Sequence, residues 1–144
     1  MHRKGIWEPE GELEIDADLV QKFKVGLYGY GIQISFFSGA WSPDFVKLVN
    51  ESMDSRLPRL TILGAETIYS PAALRSFADT LMAFLEQSPE GEKTALIAAK
   101  KVYFGVGGSM EDFCDAVRAK GAIVGQIREE SDGVRRAVVE VKSK

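Results

Sequence analysis

The chain has 144 residues, 45% of them hydrophobic and 27% charged, the balance of one folded domain and not of a disordered segment. Eighteen basic against twenty-one acidic side chains leave a net charge of −3, which argues against a broad cationic surface for direct nucleic-acid binding. A single cysteine, Cys114, and a single histidine, His2, exclude an internal disulfide, a cysteine-based metal centre and Ser-His or Cys-His catalysis within the chain.

No apolar run approaches the ~20 residues of a membrane span, and the first residues lack the apolar core of a signal peptide, so an intracellular protein with no membrane partner is expected. Residues 1–16 are acidic, broken by Gly5, Pro9 and Gly11, and read as a poorly ordered lead-in; a folded domain is expected over 17–144. Leu19, Val20, Phe23 and Leu27 share helical spacing and predict a helix over 17–28, capped by Asp16 and stopped by Gly29-Tyr30-Gly31. Ile32, Ile34, Phe36 and Phe37 predict a short strand.

Ser42-Pro43 then places an N-cap before a proline suited to the first helical position, with Phe45, Val46, Val49 and Met53 as an apolar stripe. A strand follows over about 59–67. Ser70-Pro71 opens a second such helix, whose Leu74, Phe77, Ala78, Leu81, Met82 and Leu85 face the core. The next strand is expected at about 94–103, and Ser109 caps a helix with Met110, Phe113, Cys114 and Val117 inward. Two last strands near 122–127 and 134–141, joined through Ser131-Asp132-Gly133, predict an antiparallel hairpin. The alternation of strands and helices predicts an α/β fold: a mostly parallel sheet with helices on both faces, closed by that hairpin.

In an open α/β sheet, ligands bind beyond the carboxyl ends of the strands, and three segments lie there. Phe37-Ser38-Gly39-Ala40-Trp41 offers an indole for stacking, or a core-edge tryptophan in a tight turn. Gly64-Ala65-Glu66-Thr67 puts a carboxylate at a buried strand end, which needs a partner or a task. Tyr103-Phe104-Gly105-Val106-Gly107-Gly108 runs into a helix start, but its glycines miss the dinucleotide spacing, and a conformationally demanding turn explains them better. Lys100 and Lys101 are adjacent on a strand, so one of them at most should line a cleft.

Phe36-Phe37-Ser38-Gly39-Ala40-Trp41, Leu63-Gly64-Ala65-Glu66-Thr67-Ile68-Tyr69 and Lys101-Val102-Tyr103-Phe104-Gly105-Val106-Gly107-Gly108 resemble successive blocks of the protein-histidine N-methyltransferases. These are class I enzymes of the seven-β-strand type, dependent on S-adenosylmethionine. The Tyr-Phe-Gly-Val-Gly-Gly block is the most distinctive, and the resemblance runs from about residue 17 to the end. The family's glycine-rich cofactor loop and second acidic strand end have no counterpart before residue 32. The chain therefore looks like the carboxyl-terminal portion of such an enzyme, a partial Rossmann-like fold lacking the first two strands.

By that resemblance Gly39, Ala40, Trp41 and Ala65 would hold S-adenosyl-L-methionine, Glu66 and Thr67 would face the transferred methyl, and Tyr103, Phe104, Gly105, Gly107 and Gly108 would shape the slot for the target histidine. The implied activity is methyl transfer to a histidine of a protein substrate, a large-subunit ribosomal protein, in the cytoplasm or nucleus. The alternative is a non-catalytic α/β interaction module derived from a truncated methyltransferase. In the family's sheet order, 3-2-1-4-5-7-6, loss of two strands bares the edge at Leu60–Leu63. Either the Ile32 strand slides across to pair there, or a second chain does so, identical or carrying the missing amino-terminal half.

Overall fold

The helix starts anticipated from the sequence are capped in the structure, a computed structural model that describes residues 14–53, 59–87, 91–105 and 107–143. Asp16 accepts the Leu19 N–H at 2.7 Å and opens α1 (Ala17–Gly29). Ser42 accepts from Phe45 N at 3.2 Å and opens α2 (Pro43–Ser52). Ser70 accepts from Ala73 N at 3.2 Å and opens α3 (Pro71–Gln87). Ser109 accepts from Asp112 N at 3.0 Å and opens α4 (Met110–Ala119). Each cap satisfies an amide that the first helical turn leaves without a partner, and each is worth about 1 kcal/mol.

The chain divides into two units, Met1–Phe37 and Ser38–Lys144. In the first, α1 forms as expected, yet none of its residues is buried. The strand predicted over Ile32–Phe37 is absent, and Phe36 is 92% exposed. β-branched and aromatic residues favour a strand through the pleated surface they pack on, and an unpaired segment has none. The expected lead-in lies outside the described residues up to residue 13.

The second unit holds a four-stranded sheet of β1 (Arg59–Ala65), β2 (Glu92–Lys100), β3 (Ile123–Glu130) and β4 (Arg136–Lys142), in the order β1-β2-β4-β3. β1 pairs parallel with β2, and β4 is inserted antiparallel to both β2 and β3. The sheet is therefore mixed, with two antiparallel pairings out of three, and not mostly parallel as expected. The hairpin causes this: its second strand folds back between β2 and β3 instead of extending the edge. β2 also ends at Lys100, short of the expected 103, because the Lys101 amide turns to Arg135 O at 2.9 Å.

Within Ser38–Lys144, α3 and α4 pack on one and the same face of the sheet, not one on each as expected. Ile62, Ala95, Ile97, Ala99, Val139 and Val141 point to one side, where the buried faces of α3 and α4 meet them in a single core. The stripe expected on α3 (Leu74, Phe77, Ala78, Leu81, Met82, Leu85) is buried throughout, as is that on α4. Leu63, on the opposite face of β1, is 76% exposed. Gly64 sets the depth of the core: a Cβ there would come within 2.9 Å of both Phe77 and Ile97. Phe77 fills that space, and truncating it to alanine is expected to cost about 3–5 kcal/mol.

Candidate functional site

At the carboxyl end of β1 the backbone leaves its strand under strain. Glu66 has a φ of 56°, in the left-handed region that side chains avoid at a cost of order 1–3 kcal/mol. Its amide still donates to Ala98 O at 3.0 Å, so the turn comes directly after the last contact with β2. Such strain persists where the surroundings over-determine it, and here the side chain is tied down as well.

The carboxylate is gripped unequally. The Tyr103 hydroxyl donates to Glu66 Oε2 at 2.6 Å, while Arg136 Nε stands 3.9 Å from Oε1. Tyr103 is itself placed from below, since the Lys100 amide donates to its hydroxyl at 3.3 Å. Burial, and then the bond to Glu66, push the Tyr103 phenol up to about 12, so it remains a donor throughout the neutral range. Oε2 is fixed and Oε1 keeps a long ionic contact.

Tyr103 can reach Glu66 because the glycine loop doubles back beneath it. Tyr103 N donates to Gly108 O at 2.9 Å, and Gly107 N to Tyr103 O at 3.2 Å. Gly105 and Gly107 adopt φ of 80° and 78°. A Cβ on Gly108 would overlap the Ile68 carbonyl oxygen and approach Tyr69 C to 2.9 Å. The glycines thus serve a demanding turn and a close backbone contact with the Glu66–Tyr69 segment. Thr67, beside Glu66, has its hydroxyl buried without a hydrogen-bond partner.

Trp41 packs edge-on against Phe45 and Phe77, at 5.7 and 5.4 Å between ring centroids. Phe77 lies against Gly64, so one side chain separates Trp41 from the end of β1. Gly39, in the turn that delivers the indole, lies close under the Phe45 ring: a Cβ there would stand 3.0 Å from it and the ring would have to give way slightly. Gly39, Ala40 and Ala65 are exposed. Tyr103 and Phe104 instead border an open cleft of about 1140 Å³ between α4 and the β3–β4 hairpin, whose walls include neither Trp41 nor Ala65. Lys100 and Lys101 both line it, contrary to the alternation argument, because the strand ends between them and its period no longer applies. Among the described residues no group of three or more His, Cys, Asp and Glu side chains could hold a metal ion, and no helix is long and apolar enough to cross a membrane.

No protein-family model matches the chain. Curated relatives do. Histidine protein methyltransferase 1 of Saccharomyces cerevisiae is 32% identical over 102 residues, covering 71% of this chain and 26% of the relative. The Schizosaccharomyces pombe protein of the same name is 32% identical over 106 residues, 74% of this chain and 29% of the relative. The histidine protein methyltransferase 1 homolog of Rattus norvegicus is 31% identical over 142 residues, 97% of this chain and 35% of the relative. This chain belongs to the histidine protein methyltransferase family. It spans about a third or less of the length of these relatives.

Sequence reasoning missed one member of the Glu66 cluster. Arg136 follows the hairpin turn, seventy residues after Glu66, and reaches it only because β4 pairs beside β2 with Lys100 opposite Arg136. The hairpin signal alone does not give that insertion; the strand order implied by the family resemblance does, but it names no residue opposite Lys100.

Proposed function

We propose that this chain is the carboxyl-terminal portion of a protein-histidine N-methyltransferase that uses S-adenosylmethionine. Glu66 carries the reading: a carboxylate on a strained turn at a strand end, with one oxygen clamped by a neutral phenol. The order β1-β2-β4-β3 supports it, being what the last four strands of the family's sheet would give. The domain over 17–144 is then part of a larger one, working in the cytoplasm or nucleus on a protein substrate, a large-subunit ribosomal protein by the resemblance.

The residues present suit one end of the cofactor. An indole packed on its edge by Phe45 and Phe77, on a turn where Gly39 lies close to the Phe45 ring, leaves a flat surface beside exposed Ala40. Gly39, Ala40, Trp41 and Ala65 would hold the adenosyl group; when bound, the cofactor supplies an electrophilic methyl. The other steps belong to this chain's side chains. Glu66 Oε1 accepts the N–H of the target imidazole, which leaves the opposite ring nitrogen unprotonated and able to attack. The same carboxylate then stabilises the cation formed on the ring. Tyr103 holds Oε2, so that a single oxygen is presented, and Phe104 with Gly105, Gly107 and Gly108 shapes the approach. Thr67, next to Glu66, offers the one hydroxyl of this turn still in want of a partner.

Titration of the chain with S-adenosylhomocysteine, followed by tryptophan fluorescence, is expected to show saturable quenching that is lost in Trp41→Ala. Absence of binding would remove the cofactor assignment. It would leave the second reading, a non-catalytic module that binds another polypeptide, which the exposed face and unpaired edge of β1 favour.

A further inference from the structure

The cleft between α4 and the β3–β4 hairpin begins beside the carboxylate to which the target histidine is assigned. Tyr103 belongs to both places. Its hydroxyl donates to Glu66 Oε2 at 2.6 Å, and the same residue lines the cleft, followed by Phe104. The cleft holds about 1140 Å³, above the ~300–1,000 Å³ usual for a whole small molecule and far beyond the needs of one imidazole. Space continuous with a histidine slot is open to the residues that adjoin the histidine in its own chain.

The lining decides which kind of residue. The floor is apolar, formed by Met110, Cys114 and Val139, all buried. At the mouth Phe104 is 93% exposed, and Val102 and Val134 about half. The charged side chains of the walls are already engaged. Glu129 takes Lys101 at 2.7 Å and Arg135 at 3.0 Å, and Asp115 takes Arg118 at 3.2 Å. Lys100 Nζ lies over the Tyr103 ring, 5.5 Å from its centroid, on a wall that also carries Glu111. These walls single out an ion of neither sign. Exposed apolar side chains above a buried apolar floor are stabilised when an apolar group covers them.

We infer that the cleft receives one large apolar side chain of the substrate polypeptide, at a fixed offset in sequence from the target histidine. The inference rests on the methyltransferase reading of Glu66 and adds a sequence requirement to its substrate. The probes are fluorescein-labelled nonapeptides of glycine and serine around a central histidine, with a single leucine at each other position in turn, read by anisotropy against this chain. One offset is expected to bind about tenfold tighter than the leucine-free peptide, with the gain unchanged by salt. Glutamate or lysine at that offset is expected to bring no gain. Val102→Ser/Val134→Ser should abolish the leucine gain, while Glu66→Gln should remove the preference for histidine over serine at the centre. Circular dichroism establishes that the variants remain folded; should the double variant unfold, Val134→Ser alone takes its place. An equal gain at every offset, an equal gain from glutamate, or a gain that survives the valine variant would overturn the inference and leave histidine recognition standing. Peptides that bind equally well with serine in place of the histidine would overturn the reading of Glu66 and the inference with it, as would the failure of every peptide to bind.

Discussion

Along β3, Arg128, Glu129 and Glu130 place consecutive charges on one edge of the sheet, and the register shifts between Gln126 and Arg128; β1, at the other edge, carries a charge only at its first residue, Arg59, and no shift. Charges and bulges are how natural sheets deter further pairing. The carboxylates beside the two edges differ in the same sense. Glu129 sits within β3, just past its register shift, bonded to Lys101 and Arg135. Glu66 sits on a strained turn with one oxygen held by a phenol. One edge of the described sheet is finished with charges and a register shift, and the other is not.

The largest expected contrast concerns glycines. Gly108→Ala should lose about 3 kcal/mol, because its Cβ would overlap the Ile68 carbonyl and backbone must move. Gly125→Ala, in β3, has nothing within 4 Å and should stay within about 0.5 kcal/mol of the parent. Urea unfolding of both variants decides it; equal losses would mean that the β1 side is no more tightly specified than the β3 side.

Next in size is self-association. An apolar, unpaired edge next to the exposed face of Leu63 should drive the isolated chain to associate with rising concentration. Leu63→Lys is expected to weaken that association by about tenfold, and Ile127→Lys, on the guarded strand, to leave it unchanged. Sedimentation velocity reads both, and a wild-type chain that stays monomeric throughout would break the comparison.

A smaller effect concerns Tyr103, which should ionise only at about 12. Since the folded phenol is held neutral, its contribution to stability is complete below its ordinary value of 10.0 and is lost as pH rises from there to about 12. Ultraviolet titration should show the highest step vanish in Tyr103→Phe and move down in Glu66→Gln. Glu129→Gln should leave it in place.

The helices were legible because their signals are local. Ser or Asp caps, proline after Ser42 and Ser70, and the stripes of α3 and α4 lie within a few residues of the structure they specify. The end of β1 was legible for the same reason, Glu66 being a charge in an apolar run. Pairing was not. Whether Ile32–Phe37 forms a strand depends on a neighbour, and where β4 inserts depends on competition between edges; neither is written in the segment itself. The Tyr103–Glu66 bond follows from the loop's close approach at Gly108, a contact between residues some forty positions apart.

The finest test lies on the finished side. Lys101, and after it Arg135, hold the Glu129 carboxyl down from 4.5 to about 2. A depressed carboxyl contributes stability that is fully present above its ordinary value of 4.5 and drains away as pH falls towards about 2. The pairs are solvent-accessible, so the contribution is small and screened by salt. Wild-type protein should therefore lose slightly more stability on acidification through this window than Glu129→Gln does, and the gap should close in high salt. Amide exchange should localise the loss to the β3–β4 hairpin, whose ends those pairs clasp to Lys101. A difference of equal size that appeared in β1 instead would mean that the two sides of the sheet are coupled, and that the guarded edge stabilises the open one.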